Sequence, residues 1–376
     1  MMENLVAKYV SQKISRTRWR PVPASSLQQP DVFAAGSWDN EENQLSLWST
    51  GDFGTINMEE DYLADPKLLC EIKHKGDVMD LQFLDQERIV TASSTGGVTI
   101  FRHHQGNQTL SEKQKWENAH HHGGSDGIGA PCTSIVCSNP EIVSVGEDGR
   151  INLFRADSKE IVRTIDDADS STIHAVIFLR TTEILTVNSI GQLKMWDLRQ
   201  QGNDPTHIFS VANERMPLHC LDRHPSQQHV VATGGQDGML CIWDVRQSQT
   251  PISLLSAHEA EMWEVHFHPS KPDHLFTCSE DGSLWHWDAS TEVMEKPSFL
   301  MGGRGNMNMS RSTAGQSFSQ SLMTAWLNSD PTKGHLEITN LLPSTTLSVN
   351  SLDVLGEYLV CGTDAEAIYV LKQALP

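Results

Sequence analysis

The sequence predicts an all-β fold: a seven-bladed β-propeller whose ring is closed by the N-terminal strand completing the last blade. Three observations predict it. One pattern of short apolar strand, tight turn and short apolar strand ending on a large apolar residue recurs along almost the whole 376-residue chain. The closing positions lie mostly 42 to 53 residues apart, enough for four short strands per repeat. The last repeat stops without an outer strand, while the first residues hold a spare one.

Taken in order, GSWDNEENQLSLW ends at Trp48, TASSTGGVTIF at Phe101 and SVGEDGRINLF at Phe154. TVNSIGQLKMWD then carries Trp196, TGGQDGMLCIWD carries Trp243 and FTCSEDGSLWHWD carries Trp287. A degenerate seventh copy, VCGTDAEAIYV, ends at Val370. The Asp-Gly between paired strands is a hairpin signal, because Gly accepts positive φ and Asp tolerates it. Upstream strands such as DVMDLQF and MWEVHFHP, and downstream ones such as QTLSEKQKW and KEIVRTI, complete four per blade. LVAKYVSQ, Leu5 to Gln12, can pair as the outer strand missing from blade seven, and SRTRWRPVP then opens blade one. Overlapping the termini removes an unpaired sheet edge. The whole of 1–376 reads as one propeller domain.

Two segments do not fit a blade. Residues 103–130 hold an outer strand and then a His/Gly-rich loop. His103, His104, His120, His121 and His122 invite a metal reading. Adjacent histidines point apart and no acid or thiol falls at ligand spacing, so a solvated loop is expected. Residues 291–335 form a long insertion with a Gly-, Ser- and Asn-rich centre expected to be disordered. Within it, SLMTAWLNSD reads as a short helix docking onto the ring, and HLEITNLLP, which follows, as the outer strand of blade six.

Bulk composition narrows the function. The formal charge is −20, which argues against direct nucleic-acid binding and fits either solubility or partners with basic patches. Seven scattered cysteines suit buried thiols in a reducing compartment, with no metal site or disulfide framework. No leader or apolar run long enough to span a membrane is seen, so a soluble cytosolic or nuclear protein without membrane insertion is expected. No GxSxG, phosphate loop, HExxH or convergent carboxylate pair appears, so no enzyme and no cofactor is expected.

The stretch AHEAEMWEVHFHPSKPDHLFTCSEDGSLWHWD resembles the WD40 repeat family. That resemblance implies a buried structural network of His258, Ser279, Asp281 and Trp287. A buried carboxylate must be paired, and an imidazole with a hydroxyl can do it. Other repeats depart from the pattern. The fifth keeps Asp237 and Trp243 but has Gly235 where Ser would stand. The fourth has Ile190 for Asp and Asp169 for His. The second has His74 and Ser93 with Thr95 and Phe101, and the seventh keeps Asp364 without the aromatic. These blades are expected to rely on apolar packing, leaving the sixth best formed. The resemblance also implies binding at one face, through Trp263 and Glu280 in blade six. Matching positions are Met79 in blade two, His174 and Ser189 in blade four, and His219 and Gln236 in blade five. Trp263 leads these candidates because exposed Trp is enriched at hot spots; packing over the neighbouring blade is its alternative.

A narrower resemblance covers nearly the whole chain. KYVSQKISRTRWRP, AAGSWDNEENQLSLW, HKGDVMDLQF, VGEDGRINLFRAD, LTVNSIGQLKMWD, RHPSQQHVVATGGQDGM, AHEAEMWEVHFHP and CGTDAEAIYV are similar to a family of small WD-repeat nucleoporins. This implies a non-enzymatic scaffold subunit of the outer-ring, Y-shaped subcomplex of the nuclear pore complex. It would sit beside helical-solenoid and other propeller nucleoporins, serve protein and mRNA transport, and be monomeric outside the complex. It also implies kinetochore association in mitosis, with roles in cell division and chromosome segregation. Two rivals stand. WDLR at Trp196–Arg199 and WDVR at Trp243–Arg246 resemble substrate receptors of cullin-4 ubiquitin ligases, unless each Arg merely pairs with a nearby Asp. The other is an enzyme hidden in the central channel.

Overall fold

The computed structural model describes residues 5–23, 29–50, 65–123, 128–211, 215–247, 249–290, 325–327, 336–343 and 347–375. These form seven four-stranded antiparallel sheets. The inner strands are Ile14–Trp19, Val78–Phe83, Cys132–Ser138, Ile173–Arg180, Leu218–Arg223, Met262–Phe267 and Val349–Leu355, for blades one to seven. Each packs against the next, and the seventh packs against the first, so the sheets form a ring.

The second strand of each blade reads as an apolar run instead of an alternation because both of its faces are covered. Val32–Ser37, Val230–Gly235 and Tyr358–Thr363 are buried at every position. The core accordingly divides into seven apolar clusters, each filling the gap between two neighbouring blades. One joins Phe276 and Leu284 of blade six to Val349 and Leu359 of blade seven. Another joins Val360 and Ile368 of blade seven to Ile14 and Phe33 of blade one.

Closure uses the N-terminal residues. Leu5–Tyr9 pairs antiparallel with Ala367–Lys372, in register from Leu5 opposite Leu371 to Tyr9 opposite Ala367. The Val10 amide extends this by donating to the Glu366 carbonyl at 2.8 Å. Blade seven is thus three strands from one end of the described chain and one from the other.

The long insertion leaves blade six after Asp288 and re-enters as the outer strand Glu337–Asn340. Its Gly-rich centre, 302–321, lies outside the described residues. A short 3₁₀ turn, Ala325–Leu327, returns to the ring. There Trp326 is buried edge-on against Phe267, and its indole N–H donates to the Pro272 carbonyl at 3.0 Å.

Removing residues 1–12 should strip blade seven of its outer strand and expose the cluster beneath. We expect a fall in Tm of at least about 5 °C, with association visible by size-exclusion chromatography. An unchanged Tm and monomeric elution would show that this strand does not close the ring.

Candidate interaction site at one mouth of the ring

The polar networks that hold the blades define one end of the ring. In blade six, His258 Nε2 lies 2.8 Å from Thr277 Oγ1, and the Trp287 indole N–H donates to the same oxygen at 3.0 Å. His258 Nδ1 lies 3.1 Å from Asp281 Oδ2. With an ionised carboxylate the chain runs one way: Trp287 donates to Thr277, Thr277 to His258, and His258 to Asp281. Burial pushes the Asp281 carboxyl up, but bonds from Ser283, the Glu259 amide and His258 outweigh it and hold it below the usual carboxylate range.

This corrects one predicted residue. The bridging hydroxyl is Thr277, not Ser279, which instead accepts the Asp281 amide at 3.1 Å. Trp287 stands opposite Leu275, so its indole reaches diagonally to Thr277, while Ser279 lies at the far end of the strand. The same two-residue correction holds in two further blades. His74 Nε2 lies 3.0 Å from Thr91 Oγ1, not from Ser93, and the Trp243 indole donates to Thr233 at 2.9 Å, two residues before Gly235.

The prediction of a solvated loop fails at His120, which is fully buried. Its Nε2 lies 2.7 Å from Ser144 Oγ and its Nδ1 2.8 Å from Asp148 Oδ1, so it is the blade-three counterpart of His258. Blade three lacks only the indole, replaced by Phe154. His103 is also buried, with Nε2 3.0 Å from Gln108 Oε1, while His122 is exposed. Blade four is not held by apolar packing alone either. Asp169, in the His position, binds Lys194 Nζ at 2.8 Å and accepts Asn188 Nδ2 at 2.7 Å. In blade seven, Asp364 accepts from Asn350 at 2.7 Å and from the Trp38 indole at 3.1 Å.

Each network also ties two blades together. The amides of His120, Asp169 and His258 donate at 3.0 Å to the carbonyls of Gly96, Gly149 and Gly238, which end the hairpin turns of the preceding blades. Those turns need glycine twice over. Gly238 has φ +72°, and an added Cβ would stand 2.3 Å from the His258 carbonyl oxygen.

At this same end, every inner strand carries a one-residue bulge at its second position. The bulged residues are Ser15, Met79, Thr133, His174, His219, Trp263 and Asn350. A bulge re-aims its side chain, here at the mouth. Four of the predicted contact residues, Met79, His174, His219 and Trp263, are therefore equivalent by backbone geometry. All four are half-buried. His174 and His219 meet edge to face with centroids 4.8 Å apart, and His219 lies 5.4 Å from Trp263. Trp263 is not free: its indole N–H donates to Ser348 Oγ of the next blade at 3.0 Å. Ser189, Gln236 and Glu280 sit on the hairpin turns beside this ledge. Gln236 and Glu280 are exposed, and Gln236 Nε2 donates to Glu261 Oε1 at 3.0 Å.

Behind the mouth lies a channel cavity of about 560 Å³. Its charged side chains face one another or the backbone. Arg18 forks onto Glu264 at 2.7 and 3.1 Å, and Glu264 also accepts the Leu352 amide of blade seven at 2.7 Å. Burial pushes the Glu264 carboxyl up, but Arg18 and Arg16 outweigh it and hold it ionised. Among the described residues no group of three His, Cys, Asp or Glu side chains could hold a metal ion. The arginines of the two WD-x-Arg ends are closed on their own aspartates. Arg199 forks onto Asp197 at 3.0 and 2.8 Å, and Arg246 onto Asp244 at 2.9 and 2.7 Å.

Comparison with known proteins agrees with this architecture. The family described as "WD domain, G-beta repeat" matches residues 204–244 and 249–288, which hold the outer strand of blade four, the four strands of blade five and the first three strands of blade six. The chain is 68% identical over 377 residues to nucleoporin Nup43 of Mus musculus, and 68% over 376 residues to nucleoporin Nup43 of Homo sapiens. Each alignment covers 99% of this chain and 99% of the relative. A nuclear pore complex protein nup43 of Dictyostelium discoideum is 27% identical over 169 residues, covering 45% of this chain and 38% of that protein.

Two predictions follow from the networks. Thr277→Val should cost about 2 kcal/mol or more, since it strands both the His258 ring and the Trp287 N–H. His120→Ala should cost at least as much, where a solvated histidine would cost under about 0.5 kcal/mol; urea unfolding of both variants decides. Acidification supplies the third. Burial lowers the His174 and His286 rings to about 4 and also lowers His258, whereas an unfolded imidazole titrates near about 6.5. The unfolded chain therefore takes up protons first, and stability should fall steadily as pH drops from about 6.5 to about 4. His266, raised by Glu264 against the effect of its burial, and the Asp222 and Asp353 carboxyls, raised by burial, oppose this, but the lowered imidazoles outnumber them. A flat denaturation midpoint across that window would refute it.

Proposed function

Since the chain belongs to the Nup43 family of nucleoporins, we propose that it is a WD-repeat subunit of the nuclear pore complex that works as a non-enzymatic scaffold. The observation that carries this reading is 68% identity over 99% of the chain, including the degenerate blades that a generic WD pattern would not share. The proposed place is the Y-shaped outer-ring subcomplex, beside helical-solenoid and propeller subunits, with a kinetochore role in dividing cells. Rigidity suits such a part. A ring stapled at every junction presents its surfaces at fixed angles and loses little entropy on docking.

The mouth with the bulged residues is the proposed docking face. It combines half-buried large rings with exposed polar residues on the hairpin turns, the pattern of a buried anchor within a polar rim. Trp263 serves as the anchor here, and Glu280, Gln236 and Ser189 as rim contacts. Arg199 and Arg246 pair with Asp197 and Asp244, the structural role that the WD-x-Arg ends have without any ligase adaptor.

Affinity purification of the tagged chain from cells should recover solenoid nucleoporins in near-equal amounts; recovery dominated by a ligase adaptor would reverse the reading. Within that experiment, Gln236→Arg combined with Glu280→Arg should reduce capture at least about tenfold with Tm within about 2 °C of the parent. Trp263→Ala should reduce capture too, but with a measurable fall in Tm, because it breaks the bond to Ser348. Undiminished capture by the double variant would place the interface on another surface.

A further inference from the structure

We infer that the ledge formed by His174, His219 and Trp263 receives an arginine side chain from a basic segment of a partner protein. This rests on the reading that the bulged mouth is an interface, and it adds the chemistry of what docks there.

The seven bulged residues divide by what their side chains do, and Met79 packs against the apolar cluster between blades two and three. Ser15, Thr133 and Asn350 turn back to the neighbouring blade, donating to the carbonyls of Val78, Ile173 and Ile14. His174, His219 and Trp263 make no such bond to a backbone carbonyl. In blade five the bond is made by the next residue, Cys220, whose Sγ reaches the Met262 carbonyl at 3.7 Å. The three rings are thereby left standing over the cavity as one continuous ledge. Neither imidazole makes a hydrogen bond among the described residues, and the buried His219 Nε2 has no hydrogen-bond partner. It faces the Glu261 carboxylate at 3.3 Å. Trp263 is held in place by Ser348, so the ring is presented in a fixed orientation.

Charge decides the occupant. Turns 236–238, 257–261, 280–283 and 364–366, on the blade-five to blade-seven side of the ledge, contain seven acidic residues and no lysine or arginine, against one arginine, Arg215, in the segment beside blade four; Arg16 and Arg18 in the cavity beneath are already paired with Glu264. Burial keeps both imidazoles neutral at pH 7, His174 at about 4 and His219 below its ordinary value, so they do not repel a cation and can accept from one. An inorganic cation is disfavoured, because no three ligating side chains converge among the described residues. Between the two basic side chains, the planar guanidinium fits better. It can stack on the indole while its fork of donors reaches Glu261 and an imidazole nitrogen; an ammonium offers only a point charge.

The test uses the full chain labelled with 5-fluorotryptophan, with the Trp263 fluorine signal assigned by its loss in Trp263→Phe. The probe is a capped Gly/Ser nonapeptide with one central arginine, compared with the same peptide carrying citrulline. A saturable shift of the Trp263 signal is expected with arginine, at least tenfold weaker with citrulline, and at least tenfold weaker in Glu261→Gln. That isosteric variant keeps an oxygen for Gln236 to donate to, and its fold is checked by Tm. No saturable shift, or equal shifts for the two peptides, would overturn the inference. If the peptide fails but the Gln236→Arg, Glu280→Arg variant loses partner capture, the arginine chemistry falls and the interface stands. If the peptide binds and partner capture survives both Glu261→Gln and the double variant, the ledge is an arginine site but the interface reading falls.

Discussion

The pairing of Leu5–Tyr9 with Ala367–Lys372 is the constraint on which the other contacts depend. The apolar core of this fold lies between blades, not within one sheet. Each blade therefore buries its two faces only if it has a neighbour on both sides. An open ring would leave blades one and seven each with a bare face and would expose the Ile14–Val360 cluster. Closure is reinforced near the axis, where the Trp19 amide of blade one donates to Asp353 of blade seven at 2.6 Å and Arg18 reaches across to Glu264 of blade six. These partners are hundreds of residues apart. The closing contacts thus carry the largest loop entropy in the molecule, offset by the last two interblade clusters.

Within the closed ring, polar groups set the angle between blades. A carboxylate on an inner strand accepts the amide of the next inner strand: Asp80 from Ile135, Asp222 from Phe267, Glu264 from Leu352 and Asp353 from Trp19. The histidine networks do the same at the periphery, each with its backbone on one blade and its ring in the next. Apolar contact is indifferent to small rotations; a buried carboxylate left unpaired is costly, so these bonds fix one geometry. The networks are interchangeable in chemistry. His120 with Asp148 and Ser144 in one blade, and Asp169 with Lys194 in the next, fill the same place.

The mouth follows from the same economy. A bulge at each inner strand aims one side chain at the axis, and where Ser, Thr or Asn stands there it is consumed in joining blades. Blades four to six place rings at that position; in blade five Cys220 makes the joining bond beside His219, and in blade six the Trp263 indole itself reaches Ser348 of the next blade. What remains is a half-buried, oriented ring ledge beside acidic turns, on a frame too rigid to rearrange around a partner.

The sequence by itself determined the period, the seven blades and the spare N-terminal strand, each written in local spacing or in a dipeptide whose backbone demand is specific, such as Asp-Gly at a positive-φ turn. The membership of His258, Asp281 and Trp287 in one network came from the resemblance to WD40 repeats. The hydroxyl of that network was misplaced by two residues because Thr277 and Ser279 share a strand face, and only the cross-strand register brings Thr277 under the indole. His120 read as solvated because its partners, Ser144 and Asp148, lie 24 and 28 residues away, beyond a loop with no periodicity. The exposure of Trp263 was likewise undetermined, since Ser348 is 85 residues distant. Local pattern encodes strands and turns; only the closed ring decides which distant side chains meet across a junction, because that depends on how every blade is rotated against the next.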